Sequence, residues 1–85
     1  MANAWVPRTF SDAEVLAAVD FVKSRRSDIW NRMVEHERLD EGYKDIAREL
    51  LDLLNAHRPE LVLADKTRLR FQMRRIARLE AGKPV

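Results

Sequence analysis

Apolar positions along this chain fall into blocks with helical spacing, and the intervals between them carry helix-start and helix-stop signals. The first block holds Val15, Leu16, Val19, Phe21 and Val22, with Ala17 and Ala18. It is wide, and it predicts a helix sandwiched between two others. Ser11-Asp12-Ala13-Glu14 reads as a capping box at its start, because a Ser hydroxyl can accept from the Glu14 N–H while Glu14 reaches back. Phe10 and Val15 occupy the positions of a hydrophobic staple. Two acids in the first turn, with Lys23, Arg25 and Arg26 at the other end, suit the helix dipole.

Ser27-Asp28 can cap a second, shorter helix or turn holding Ile29, Trp30 and Met33. Its end is poorly defined, because Glu35 to Glu41 is polar apart from Leu39. Asp40 is the expected cap of the next helix. There Tyr43, Ile46, Ala47, Leu50, Leu53 and Leu54 repeat at i, i+3, i+4, i+7, i+10 and i+11. Arg58-Pro59 ends it, since a residue before proline disfavours helical dihedrals. Pro59 to Leu63 reads as an apolar connector, one helical turn with Pro at its first position. Asp65 then caps a final helix, and Gly82 followed by Pro84 stops it. The expected fold is all-α: a small helix-turn-helix-like bundle of three helices plus one short helix. Residues 1–10 form an arm, 11–82 the domain and 83–85 a tail.

Composition narrows the classes. A chain of 85 residues makes one domain with a thin core. Two Gly and three Pro supply few tight turns, which favours long helices over a many-stranded sheet. The absence of Cys excludes disulfides and thiolate metal sites. The longest apolar run, Val15 to Val19, is far short of a membrane span. No signal peptide is read in Met1 to Arg8, so an intracellular location is expected.

Charge changes the picture more. From Ala64 to Val85 there are seven basic residues, Lys66, Arg68, Arg70, Arg74, Arg75, Arg78 and Lys83, against Asp65 and Glu80, a net of +5. The first 63 residues carry nine Lys/Arg and twelve Asp/Glu, a net of −3, so the overall +2 hides a strong dipole. At roughly 100° per residue, Leu69, Met73 and Ile76 cluster within about 60°, with Ala77 and Leu79 on the flanks. That stripe is the expected core face. Lys66, Arg70, Arg74 and Arg78 form an i, i+4 row beside it, and Arg68 and Arg75 lie across the exposed arc. Like charges at that spacing repel by a few tenths of a kcal/mol per pair. Solvated faces usually interleave both signs, so an acid-free arc points to a polyanionic partner. Arginine in particular makes bidentate contacts to phosphate and to guanine edges. Phe71 falls in the middle of the arc. It is expected to pack under the Trp5-Val6-Pro7 arm or against a second copy rather than to stack on bases, because a helix in a duplex groove meets base edges.

Candidate chemistry is sparse. His36 and His57 stand on separate polar stretches with no Cys or second His at ligand spacing, so no metal or other cofactor is expected. Ser11, Ser24 and Ser27 have no partners that would form a nucleophilic triad, and Gly42 and Gly82 alone cannot make a phosphate-cradling loop. No enzymatic activity and no small-molecule substrate are expected.

The residues also resemble a known family. Arg8-Thr9-Phe10-Ser11-Asp12-Ala13-Glu14, running into Leu16 and Val19-Asp20-Phe21-Val22-Lys23, looks like the opening of Myb/SANT-type domains. Ile29-Trp30 resembles the aromatic that follows their first helix. Gly42-Tyr43-Lys44-Asp45-Ile46-Ala47-Arg48-Glu49-Leu50 is similar to their second helix, and Arg68-Leu69-Arg70-Phe71 with Arg74-Arg75-Ile76 to their third. The gap between Trp30 and Tyr43 is closer to the MADF branch, and the opening motif to the Myb-like domains of telomere-associated proteins. The resemblance covers most of the chain, but the usual tryptophans of helices two and three are replaced by Tyr43 and by Leu69 or Phe71. In a second register Trp30-Asn31-Arg32-Met33 opens helix two and Asp40–Leu54 becomes the third helix. That helix carries Asp40, Glu41, Asp45, Glu49 and Asp52 and would repel phosphate, so the first register is preferred.

The resemblance implies double-stranded DNA binding, with the last helix in the major groove, in transcription or at chromosome ends. Lys66, Arg68, Arg70, Arg74, Arg75 and Arg78 are the expected contacts, and Arg8 on the arm reaches a neighbouring phosphate or the minor groove. A nucleus is implied for a eukaryotic chain, and the cytoplasm or nucleoid otherwise. A protein-interaction module, or a small helical adaptor or inhibitor, using the basic face on an acidic partner or on a second copy, is the competing expectation.

Overall fold

In the computed structural model, which describes residues 9–84, four helices enclose one core. They are α1 (Asp12–Arg25), α2 (Ser27–Arg38), α3 (Lys44–His57) and α4 (Pro59–Glu80). Each helix touches the other three. The bundle is all-α, as the periodicity predicts. No helix of the described residues is long and apolar enough to cross a membrane.

The capping box at the start of α1 is formed. The Glu14 N–H donates to Ser11 Oγ at 3.1 Å, and the Ser11 N–H donates to Glu14 Oε1 at 3.2 Å. Phe10 and Val15 are both buried. The buried face of α1 is narrower than its sequence suggests. Val15, Ala18, Val19 and Val22 face the core, while Leu16 and Ala17 are exposed. Phe21 is half-buried and stacks on His57, ring centroids 4.0 Å apart.

A single residue, Arg26, separates α1 from α2, so Ser27 lies inside α2 and no side chain caps that start. The second helix runs to Arg38, well past the apolar residues that announce it. The cause is Glu37, one turn after Met33, which occupies a buried position on the same face. Asp40 is not the cap of the next helix. It sits in the left-handed region at φ 56° and closes α2. The Glu41 N–H reaches back to the His36 carbonyl at 2.8 Å and the Asp40 N–H to Glu37 at 3.2 Å. This is the pattern of a Schellman ending, with an aspartate where glycine is usual. The third helix then starts three residues later than an Asp40 cap requires, with Tyr43 at its N-cap.

Arg58 is the sole link between α3 and α4, and its ψ of 67° takes it out of the helical region ahead of Pro59. The two helices form an antiparallel hairpin. α4 is broken at Asp65, whose φ of −132° and ψ of 33° are non-helical, into a short arm (59–64) and a long one (66–80). That is where a cap was expected. The stop at Gly82 is a second Schellman ending: φ is 77°, the Gly82 N–H bonds Leu79 and the Lys83 N–H bonds Arg78 at 2.8 Å.

All four helices contribute to the core. Val15, Val19, Val22, Trp30, Met33, Leu50, Leu54, Leu61, Leu69 and Met73 are its largest fully buried side chains. On the long arm of α4 the stripe is Leu69, Met73 and Ala77. Ile76 is only half-buried and Leu79 is exposed, so the stripe is turned slightly from the expected one.

Candidate nucleic-acid interface

The cations of α4 divide into two groups. The first holds the helix in place. Arg68 donates to the Phe10 carbonyl at 2.8 Å and to Asp12 Oδ1 at 2.6 Å, and lies 3.4 Å from Asp65. The hydrogen bond to Asp12 is the largest of the effects that raise its pKa. Arg78 donates to Glu37 Oε1 at 2.7 Å and to the Pro84 carbonyl at 2.7 Å. The Glu37 side chain is 5% exposed, so Arg78 is the counter-ion of a buried carboxylate. Burial and a hydrogen bond to Glu37 push the Tyr43 phenol above its ordinary pKa. Glu37 thus ties α2 to α4 and to the start of α3.

Glu80 does the same work at the other edge. It accepts from the Trp30 indole N–H at 2.9 Å and pairs with Lys23. Burial acts to raise its pKa, and the bonds from Lys23 and Trp30 outweigh that and leave it lowered. Lys83 bonds Asp40 at 3.0 Å. The contacts Asp12 to Arg68 and Lys23 to Glu80 show that α1 and the long arm of α4 run parallel.

The second group points outward. Lys66, Arg70, Arg74 and Arg75 are exposed, and none has an ion-pair partner among the described residues. Lys44 and Arg48 join them from α3. Lys44, Arg48, Lys66 and Arg70 line one end of the groove between α3 and α4, and Lys44, Arg70 and Arg74 line the other. The acids of α3 mostly lie elsewhere; Glu49, for instance, is close enough to act on Arg26 at the α1–α2 junction. Of the carboxylates that line the groove, Glu37, Asp40 and Glu41 face Arg78, Lys83 and His36, and Asp52 has no cationic partner among the described residues. Phe71 lies on the same surface and is 65% exposed.

Set against the sequence reading, the structure brings Lys66, Arg70 and Arg74 onto one surface, with Arg75 exposed one residue further on. Arg68 and Arg78 are occupied by contacts within the chain. Arg8 and the Trp5-Val6-Pro7 arm, like Val85, lie outside the described residues. Lys44 and Arg48 were missed because α3 was read by its acid content. Their i, i+4 spacing, one turn apart on one face, was the available signal. No family model matches the chain, and neither a curated protein nor a solved structure matches it.

Proposed function

We propose that this chain binds double-stranded DNA through the exposed face of the long arm of α4, flanked by Lys44 and Arg48. The observation that carries this reading is the exposed i, i+4 row Lys66, Arg70 and Arg74, with Arg75 exposed on the other shoulder of the helix. Four like charges sit on one helix, and none of them forms an ion pair with a carboxylate of the described residues. A helix stabilised only by its own contacts gains nothing from that arrangement. Phosphate supplies the missing counter-charge, and the major groove of a duplex admits the exposed face of a helix such as the long arm of α4. The resemblance to Myb/SANT-like domains points to the same ligand, and with it to a nuclear or nucleoid location. Arg68 and Arg78 support the interface by holding the helix, and Arg8, outside the described residues, remains a further proposed phosphate contact.

A second reading is favoured by exposed apolar side chains, Phe71 on the basic face and Leu63 on the short arm. On that reading the face docks an acidic protein surface. Titration of random-sequence duplex against salt separates the two. Contact with about five phosphates gives a log–log slope near −4 to −5. Absence of duplex binding at about 50 mM salt overturns the DNA reading.

A further inference from the structure

Among the described residues, Phe71 is neither part of the core nor packed against it. It stands two residues from Leu69 and two from Met73, both fully buried. At roughly 100° per residue its side chain points about 160° away from each, so it forms the outward crest of the helix. It is 65% exposed, with no ring or cation contact among the described residues. Arg70 and Arg74 stand on one shoulder of this crest and Arg75 on the other.

When a helix lies in a major groove, its crest goes deepest. Shoulder side chains meet the phosphates, and the crest meets base edges. A phenyl ring can neither donate nor accept there. The one apolar group that base pairs present in that groove is the thymine C5-methyl. Base faces are covered by stacking in an intact duplex.

We infer that Phe71 is a specificity-determining residue that recognises thymine by packing on its C5-methyl in the major groove. This rests on the duplex reading above. Thr67, one turn earlier and also exposed, extends the same line along the groove floor.

The test compares an alternating A·T duplex with the same duplex carrying deoxyuridine for thymidine, by fluorescence anisotropy at fixed low salt. Burying one methyl gives about four-fold tighter binding to the thymine duplex. Phe71→Ala should bind both duplexes equally, with an unchanged melting temperature, and Phe71→Leu should keep part of the preference. Equal wild-type affinity for the two duplexes overturns this inference and leaves the duplex reading standing. So does a tighter grip on the corresponding single strand that Phe71→Ala removes, because that shows stacking on base faces. Loss of all duplex binding by the wild-type chain overturns both.

Discussion

The ends and the middle of the long arm of α4 are built from the same residue types and do opposite things. Arg68 at its start and Arg78 in its last turn are spent on neighbours: the first turn of α1 for one, the buried Glu37 of α2 for the other. Between them Arg70, Arg74 and Arg75 meet no acid among the described residues. The helix is clasped at both ends and bare in the centre. A count of +5 over the C-terminal stretch therefore overstates the charge on offer, and the charge that is on offer is held on a fixed frame. Lys44 and Arg48 partly restore the number from an adjacent helix that is acidic overall.

Four substitutions or titrations can break or sharpen this division. The largest effect is expected at Arg78. Arg78→Ala leaves Glu37 buried without its cation, which should cost about 2–3 kcal/mol. For a domain of this size the melting temperature should fall by roughly 10–20 °C in a thermal scan. An unchanged melting temperature would mean that the clasp at this end is dispensable.

Next comes the bare centre. Arg70→Ala/Arg74→Ala should weaken duplex binding by about 10- to 100-fold and reduce the salt slope by about two. Circular dichroism should show the same melting temperature as wild type, since both side chains are exposed. Unfolding of this variant would erase the contrast between centre and ends.

Arg68→Ala should have a smaller effect on stability than Arg78→Ala, because its side chain is 38% exposed and its pair with Asp12 is solvated. Chemical denaturation monitored at Trp30 would measure it.

The smallest effect concerns Glu80. Its folded pKa lies below the ordinary 4.5, so the stability it supplies is complete above that value. It is lost as pH falls from there through the lowered pKa. Glu80→Gln should flatten that part of the acid limb. A wild-type curve of the same shape as the variant's would remove Glu80 from the clasp.

The local devices of this fold were legible in advance. Ser11 and Glu14 cap α1, Pro59 ends α3, Asp65 interrupts α4 and Gly82 stops it. Each depends on residues within a few positions of one another. The misread features depend either on a distant partner or, at Asp40, on a competing local set of backbone hydrogen bonds. The length of α2 was hidden because the buried residue that extends it is a glutamate, and its counter-ion lies 41 positions later. Asp40 looked like a cap, yet its backbone hydrogen bonds belong to the preceding helix. Ala77 displaced Ile76 from the centre of the stripe, since a small side chain allows close packing where a helix wheel sees only hydrophobicity.

The candidate site divides the same way. Sequence alone determined that the last helix would carry a basic arc with no acid between Lys66 and Arg78 and that Phe71 would interrupt it, because helical period and residue type suffice for both. Tertiary structure decided which of those cations face outward. An arginine's availability depends on the carboxylates that packing brings within hydrogen-bond reach, and here those carboxylates come from α1 and α2.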